Sequence, residues 1–390
     1  MTEHLSRSAA ERADLPFGSS ASAAPNGDVP AFRTVGYVGH ADLPDLRAED
    51  LLKLTHINIA FGHVKDDAVV TDHLRNMEEI ARLKKEHPAV LILLSVGGWS
   101  AGGFSEAAST ESGRRRMAES ALEAIDAYGL DGIDLDWEYP CYGEAGIGAS
   151  PADRDNFTLL LRNIREAFDE REAAEERHYL LTIAAGADQY YVDGTRMDEA
   201  QRYLDYVQLM TYDMRGGFQV LTGHHTNLHT PTGDLFRISV EASVRLFANA
   251  GVPKEKIVIG AAFYSRMWKG VPDVDNGLHQ MAGTSGGYGP EFTELHESYI
   301  DRNGFRRYWD DEAAAPYLYD GGRHDGGTFI TYDDEESIAR KCEFVRNERL
   351  GGVMFWEYRC DRTGRLLEAI RAGLAGEAET APSASRTGGA

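Results

Sequence analysis

The sequence predicts an α/β protein built as a (β/α)8 TIM barrel, with a small α+β insertion between its seventh and eighth strands. Short apolar runs rich in β-branched and aromatic residues recur eight times along the chain, and amphipathic segments separate many of them. This alternation is typical of a parallel sheet with helical crossovers, and eight such units match a closed barrel. The 390 residues can accommodate one barrel with an insertion.

The eight apolar runs give the expected barrel strands, at 34–40, 56–64, 90–98, 132–139, 180–187, 206–213, 257–264 and 352–358. Between them, apolar residues return every three or four positions at 73–87, 114–129 and 153–173, which is the helical period. A further amphipathic helix is expected at 333–348, directly before the eighth strand. The catalytic barrel would therefore comprise residues 31–265 and 331–375.

One interval is too long for an ordinary connection between a strand and a helix, and it covers residues 266–330. It carries enough aromatic surface for a small core of its own: Trp268, Tyr288, Phe292, Tyr299, Phe305, Tyr308, Trp309, Tyr317, Tyr319 and Phe329. We interpret it as an inserted subdomain. Residues 1–30 and 376–390 have the small, polar composition of disordered tails.

The composition excludes several classes of partner. A formal net charge of −23 opposes binding to nucleic acid or to an anionic membrane, and it favours a neutral or cationic substrate. The longest apolar run, 89–96, is too short to span a bilayer, and the first thirty residues contain no secretory apolar segment. We expect a soluble, monomeric, cytoplasmic protein, with secretion by another route left open. Cys141, Cys342 and Cys360 are expected to be free thiols.

The most informative segment is DGIDLDWEYP at 131–140, in which carboxylates alternate with large apolar residues. Side chains of a strand alternate between its faces, so Asp134, Asp136 and Glu138 share one side. Ile133, Leu135 and Trp137 share the other side, which would pack against the helices. In a barrel the acidic face is the interior, and it rises toward the C-terminal rim where barrel enzymes hold their active sites.

Three ionised carboxylates in this arrangement would repel one another. Positions two apart on a strand are separated by roughly 6.7 Å, so two unit charges there repel by about 2.5 kcal/mol at an effective dielectric constant of about 20. At least one carboxyl should therefore keep its proton near neutrality, as a general acid must. From the spacing alone, three interpretations stay open: a catalytic site, a cation site and a buried structural network.

Four segments together resemble the family 18 glycoside hydrolases, the chitinase family. DGIDLDWE at 131–138 matches the family's DxxDxDxE signature, and SVGGW at 95–99 resembles its SxGG motif on the third strand. MTYD at 210–213 resembles its Met-Tyr-Asp motif on the sixth strand, and FWEY at 355–358 supplies the tryptophan of the eighth. The resemblance covers approximately residues 33–373 and implies a glycoside hydrolase that needs no cofactor.

The resemblance implies roles for four catalytic residues. Glu138 corresponds to the proton donor, and Asp136 to the residue that accepts the substrate's acetamido N–H. Asp134 would share a proton with Asp136, and Tyr212 would donate to the acetamido carbonyl. In this family the substrate's own amide replaces the enzyme nucleophile, which gives retention of configuration.

Substrate-binding positions follow from the same resemblance. Trp356 corresponds to the floor on which the sugar stacks, and Gly97 and Gly98 let the backbone approach closely where a side chain would clash. The other expected substrate-binding residues are Gly97, Gly98, Trp99, Tyr139, Met210, Asp213, Tyr264, Arg266, Tyr37 and Phe61. The segments 268–278, 308–311 and 329–334 resemble the chitin insertion domain of the groove-forming branch, which would deepen the cleft.

The sequence therefore predicts a chitinase that hydrolyses β-1,4 bonds in chitin or in N-acetylglucosamine oligosaccharides. Two alternatives remain, an endo-β-N-acetylglucosaminidase acting on N-glycans and a chitin-binding lectin; a metal-dependent barrel hydrolase is a third. His224, His225 and His229 are not expected to bind a metal, because no matching pattern of Cys or carboxylate ligands accompanies them.

Overall fold

The computed structural model describes residues 32–321 and 326–377. The tails expected at 1–30 and from 378 onward lie outside the described residues. The barrel strands are β1 (Arg33–Gly39), β2 (His56–Lys65), β4 (Leu91–Gly97), β5 (Gly132–Asp136), β6 (Leu180–Gly186), β7 (Tyr206–Met210), β8 (Ile257–Ala262) and β14 (Gly352–Trp356), with β3 (Ala68–Val70) hairpinned onto β2.

These eight strands close into a parallel barrel, which confirms the predicted (β/α)8 fold. Each barrel strand pairs with the next one along the chain, and β14 pairs with β1 through Val353 and Thr34 to close the ring. Since all eight run in the same direction, their carboxyl ends meet at one rim. That rim carries the acidic segment after β5.

Helices cover the outside of the barrel. Their bounds are α1 (Ala48–Leu51), α2 (Glu79–Glu86), α3 (Phe104–Ser109), α4 (Glu111–Tyr128), α5 (Asp153–Glu175), α6 (Gln189–Asp193), α7 (Met197–Ala200), α8 (Val240–Asn249), α9 (Phe292–Glu294), α10 (Glu335–Glu348) and α11 (Arg365–Ala375). Among the described helices, none is both long enough and apolar enough to cross a bilayer.

A second sheet follows β8. It contains β9 (Tyr264–Val271), β10 (Gly287–Glu291), β11 (Arg306–Asp310), β12 (Ala315–Tyr319) and β13 (Gly327–Thr331), paired antiparallel in the order β10-β9-β13-β12-β11. Trp268, Val271, Tyr317, Tyr319 and Phe329 form a buried cluster within it. Four of the ten aromatic residues named for this interval belong to this cluster, whereas Phe292 belongs to the large core of the barrel and Tyr299, Phe305 and Trp309 pack against that core.

The alternation along β5 positions the acidic residues as expected. Ile133, Leu135 and Trp137 belong to the large core between barrel and helices. Trp137 is 1% exposed, stacks on Phe104 of α3 with ring centroids 5.4 Å apart, and meets Phe157 of α5 at 6.0 Å. Because this face of β5 packs against the helices, the carboxylates on the opposite face point into the barrel interior.

Candidate functional site

A cleft of about 1190 Å³ opens at the C-terminal rim of the barrel. Fourteen of the predicted site residues line it: Tyr37, Phe61, Gly97, Gly98, Trp99, Asp136, Glu138, Tyr139, Met210, Tyr212, Asp213, Tyr264, Arg266 and Trp356. Segments far apart in the sequence thus converge on one cavity. The remaining predicted residue, Asp134, lies below the cleft and does not line it.

Asp134 is fully buried and accepts four hydrogen bonds. Its Oδ2 accepts from the hydroxyls of Tyr37 at 2.9 Å and Ser95 at 2.7 Å. Its Oδ1 accepts from the Thr182 hydroxyl at 2.7 Å and the Gln208 amide at 2.9 Å. Neutral donors contact both oxygens, and the sharing of a proton with Asp136, expected from the resemblance, stays a prediction. Asp134 is thus a buried anchor of the barrel interior.

Asp136 lies one step closer to the rim and is 4% exposed. Its Oδ1 is buried and has no hydrogen-bond partner among the described residues. Burial, followed by the charges of Glu138 and Asp134, raises its pKa well above the usual range. A buried carboxyl oxygen without a donor is costly. The site is therefore prepared to accept a hydrogen bond from a ligand.

Glu138 lies beyond the last paired residue of β5 and is half-buried on the cleft wall. Burial raises its pKa to about 7, and the negative charge of Asp213 adds to the rise. The carboxyl is thus close to half protonated at neutral pH, which is the condition for a general acid.

Tyr212 follows β7 and faces the same cavity. Burial raises the pKa of its phenol well above the usual range, and the nearby charges of Asp136 and Glu138 raise it further. The hydroxyl is consequently a neutral donor, and among the described residues it donates to the weakly accepting Met354 sulfur at 3.7 Å. A stronger acceptor on a ligand could replace that contact.

Asp213 and Arg266 form an ion pair on the cleft wall. Arg266 Nε donates to Asp213 Oδ1 at 2.7 Å, and its NH2 group lies 2.6 Å from Oδ2. Burial alone would raise the pKa of Asp213, but the hydrogen bonds from His225 and Arg266 hold it below its usual range. Arg266 also lies 3.8 Å from the centroid of Tyr288, so β9 and β10 build part of this wall.

An aromatic floor lies at the end of β14. The Trp356 ring stacks on Phe61 with centroids 5.3 Å apart and an interplanar angle of 17°, and it meets Tyr37 at 5.7 Å. Across the cleft, the half-exposed Trp99 meets Tyr139 edge-on at 6.5 Å. A flat apolar floor facing polar groups is typical of sites that bind sugar rings.

Gly97 and Gly98 let the SVGGW segment at 95–99 lie close to β5. Gly97 adopts φ 125°, and a Cβ there would lie 2.0 Å from the carbonyl oxygen of Asp136. The amide of Gly98 donates to that same carbonyl at 2.9 Å. Only glycine permits this approach, so the segment fixes the end of β5 and the position of Asp136.

The sequence analysis did not identify Thr182 and Gln208 as donors to Asp134. It also did not predict several residues that line the cleft. Thr182 and Gln208 each interrupt an apolar strand at an inward position, and that interruption was the available signal. The unpredicted lining residues include Tyr142, Asp188, Tyr190, Phe218 and Tyr288. They lie on loops or on the second sheet, where strand periodicity gives no information.

The three histidines after β7 have separate carboxylate neighbours. His224 Nε2 lies 3.0 Å from Asp310, His229 Nδ1 lies 2.8 Å from Glu241, and His225 Nδ1 lies 3.6 Å from Asp213. Within the described ranges, no group of three His, Cys, Asp or Glu side chains is arranged to hold a metal ion. All three cysteines are free.

The chain is similar to known glycoside hydrolases. Residues 33–361 match the family model described as glycosyl hydrolases family 18. A solved family 18 N-acetylglucosaminidase from Paenibacillus barengoltzii is 68% identical with a TM-score of 0.85, over 88% of this chain and 99% of that one. Chitinase ChiA74 from Bacillus thuringiensis is 30% identical with a TM-score of 0.82, over 90% of this chain and 71% of that one.

Chitinase A1 from Niallia circulans is 36% identical over 77% of this chain. The chain spans 44% of the length of that curated relative. The family model covers the barrel, the cleft and the second sheet, from β1 to the segment that follows β14. The chain therefore belongs to the glycosyl hydrolases family 18.

Proposed function

We propose that the protein hydrolyses β-1,4 bonds between N-acetylglucosamine units of chitin oligosaccharides, with the substrate's own acetamido group as nucleophile. The observation that carries the proposal is the meeting of Glu138, Asp136 and Tyr212 in one cleft. One is an acid with a pKa of about 7, one is a buried acceptor without a partner, and one is a neutral donor. These are the three groups that substrate assistance requires.

Glu138 supplies the proton. In its protonated form it donates to the glycosidic oxygen, so that the bond from this oxygen to the anomeric carbon can break and the sugar alcohol can leave. Burial on the wall raises its pKa to about 7, so about half of the molecules hold this proton at neutral pH.

Asp136 and Tyr212 orient the acetamido group. The free Oδ1 of Asp136 accepts the amide N–H, and the Tyr212 hydroxyl donates to the amide carbonyl, leaving its weak contact with the Met354 sulfur. The carbonyl oxygen then attacks the anomeric carbon and forms a cyclic oxazolinium ion. Because Asp136 carries or shares negative charge beside the ring nitrogen, it stabilises the positive charge that develops there.

Water completes the reaction. Glu138, now ionised, takes a proton from the water that attacks the anomeric carbon, and the oxazolinium ring reopens to the acetamide. Two inversions at one carbon give net retention. The sugar ring rests on Trp356, whose stacking on Phe61 fixes the plane of the floor.

The relatives support hydrolysis of N-acetylglucosamine polymers. Two of the similar proteins are called chitinases, and the one that is 68% identical is called an N-acetylglucosaminidase. That name favours single N-acetylglucosamine units among the products and short oligomers among the substrates. The same name gives less support to hydrolysis of N-glycans, which is the alternative enzyme activity considered from the sequence.

The proposal is tested by product analysis on N-acetylglucosamine oligomers of two to six units, beside a high-mannose glycopeptide. We expect hydrolysis of the oligomers, unchanged by EDTA, and no release of glycan from the peptide. Glu138→Gln should abolish turnover and retain oligomer binding, whereas Glu170→Gln, on the exposed side of α5, should match the unmodified protein. Glycan release in preference to oligomer cleavage, or normal turnover by Glu138→Gln, would refute the assignment.

A further inference from the structure

Thr211 directly precedes Tyr212, at a point where the regular pairing of β7 has ended. The last residue of β7 that pairs with β8 is Leu209, opposite Ile259, and the last that pairs with β6 is Met210. Tyr212 must nevertheless hold a fixed position, because the proposed reaction needs its hydroxyl at one carbonyl oxygen of the substrate. The contacts that fix this part of the chain therefore bear on the chemistry.

The Thr211 hydroxyl continues the connection to β8 beyond the last backbone pair. Thr211 Oγ1 donates to the carbonyl of Gly260 and accepts from the amide of the same residue, each at 2.8 Å. Gly260 is the residue of β8 that follows the last pair with β7. One hydroxyl thus serves as donor and acceptor to both backbone groups of Gly260. Thr211 is fully buried, so bulk water does not compete for these bonds.

The main chain of Thr211 is held as well. Its amide donates to the carbonyl of Leu209 at 2.8 Å, and its carbonyl accepts from the hydroxyl of Thr226 at 3.0 Å. The Thr226 hydroxyl accepts in turn from the buried ammonium group of Lys341 at 2.6 Å. Each hydrogen-bonding group of Thr211 therefore has a partner within the protein. Since β-branched side chains are also restricted at χ1, the orientation of Thr211 is well defined.

Gly260 also lies against the ring of Tyr212. A Cβ at Gly260 would lie 2.8 Å from Cε1 of Tyr212 and 3.0 Å from the methyl carbon of Met354. The tyrosine ring consequently packs on the bare backbone of the residue that the Thr211 hydroxyl binds. The two Thr211–Gly260 bonds thus set the distance between the end of β7 and the surface beneath the ring. Loss of the hydroxyl would let Tyr212 shift relative to the rest of the site.

Thr211 does not line the cleft itself. Its hydroxyl is occupied by Gly260 in both directions, so this group is not available to a ligand. An effect of Thr211 on the reaction must therefore pass through a neighbour. Asp213, two residues further on, is held separately by Arg266 Nε at 2.7 Å, which leaves Tyr212 as the cleft residue that depends most directly on Thr211.

We propose that Thr211 is a positioning residue for Tyr212, whose hydroxyl it holds at the place of the substrate's acetamido carbonyl oxygen. This inference rests on the proposed function, in which Tyr212 donates to that oxygen. The donated bond strengthens as the carbonyl oxygen attacks the anomeric carbon. Loss of the positioning therefore lowers kcat and changes KM little.

A double-mutant cycle tests the inference. Steady-state kinetics on an N-acetylglucosamine oligomer measure Thr211→Val, which removes the hydroxyl at nearly constant shape, in the unmodified protein and in a Tyr212→Phe background. We expect Thr211→Val alone to lower kcat roughly 10- to 100-fold and to change KM less than about twofold, as for a small displacement of a catalytic group. In the Tyr212→Phe background it should lower kcat less than about threefold, because no hydroxyl is left to position.

Further variants separate positioning from a general loss of packing. Thr211→Ser keeps the hydroxyl and should retain kcat within about threefold of the unmodified protein. Thr158→Val is the matched control and should keep its rate, since Thr158 is a buried threonine of α5 whose hydroxyl has no hydrogen-bond partner in the described part of the chain. If Thr211→Val does not fold, Thr211→Ala removes the same hydroxyl and takes its place in the cycle.

Equal losses of kcat in the two backgrounds would overturn the inference, because Thr211 would then act independently of the Tyr212 hydroxyl. So would an unchanged kcat in Thr211→Val, or a loss in Thr211→Ser as large as in Thr211→Val. Failure of the proposed function gives a different pattern. In that case Tyr212→Phe alone keeps its rate, and the inference falls together with the role of Tyr212.

Discussion

Asp134, Asp136 and Glu138 share one strand face, yet their surroundings differ step by step toward the rim. Asp134 is saturated by four donors, Asp136 keeps a free oxygen, and Glu138 faces the cleft. Burial raises all three pKa values, but hydrogen bonds oppose the rise at Asp134. In the proposed reaction, these different environments make three similar side chains an anchor, an amide acceptor and an acid.

The pKa of about 7 at Glu138 predicts how activity depends on pH. The protonated form of Glu138 is the active one, so kcat/KM on an N-acetylglucosamine oligomer should be constant as the pH approaches this pKa from below. It should then fall about tenfold for each pH unit above it, as the proton is lost. A rate that rises between pH 7 and pH 9 would contradict the role of Glu138 as proton donor.

Tyr212→Phe removes one hydroxyl from the site and should lower kcat by roughly 10- to 1000-fold, as for loss of one hydrogen bond that strengthens in the transition state. Steady-state kinetics on the same oligomer measure this change. Tyr206→Phe, a similar deletion in the barrel interior outside the cleft lining, is the matched control and should keep its rate. Equal losses in both variants would indicate a general effect of removing a buried hydroxyl.

Much of the site could be predicted because period-two alternation fixes which side chains enter the barrel. The donors to Asp134 were missed since each is a single polar residue in an apolar strand, and only the tertiary structure brings Ser95, Thr182 and Gln208 together. Tyr37, predicted as a wall residue, lines the cleft and also donates to Asp134. Strand periodicity places a side chain on a face, but it does not identify the atom that side chain will bind.

At the scale of elements, a buried ion pair connects the barrel to the helix that precedes β14. Lys341 of α10 donates to Asp333 at 2.6 Å and 2.8 Å, and both residues are about 1% exposed. Asp333 accepts from the amide of Ala262 at the end of β8 at 3.0 Å. Through the Thr226 hydroxyl, the pair reaches the carbonyl of Thr211, beside Tyr212.

Lys341→Met should therefore destabilise the fold by about 3 to 5 kcal/mol, because it leaves the Asp333 carboxylate buried without its counter-charge. Urea denaturation measures the loss, and Lys85→Met, on the exposed face of α2, serves as the control. Adding Asp333→Asn should restore part of the stability by removing the unpaired charge. A single variant as stable as the control would show that the pair contributes little.

The eight barrel strands were predicted in place, but several bounds differ. The apolar runs continue to 139, 213 and 358, whereas β5, β7 and β14 end at Asp136, Met210 and Trp356. Beyond the ends of β5 and β7, Glu138, Tyr139, Tyr212 and Asp213 line the cleft. The helix expected at 73–87 begins at Glu79, since the His73 ring instead stacks on His63 at 4.3 Å and Asn76 has φ 59°. Such tertiary contacts override a helical period.

At the scale of the molecule, two sheets cooperate in one cleft. The barrel contributes the acidic residues, Tyr212 and the aromatic floor, and the second sheet contributes Arg266 and Tyr288 to the wall. Contacts unite both sheets in one compact unit that begins at Phe32. The net charge of −23 is compatible with a neutral polysaccharide and unfavourable for polyanions.

The interval of 266–330 was recognisable by its length and aromatic content, while its strand order depended on pairings between distant segments.

The central claim is that the substrate's amide acts as the nucleophile while Glu138 provides the proton. The most direct test follows the anomeric configuration of newly formed ends by nuclear magnetic resonance, with a fully acetylated tetramer and its fully deacetylated counterpart as substrates. We expect cleavage of the acetylated tetramer alone, with the β anomer appearing first and then mutarotating. Comparable cleavage of the deacetylated tetramer, or initial release of the α anomer, would contradict it.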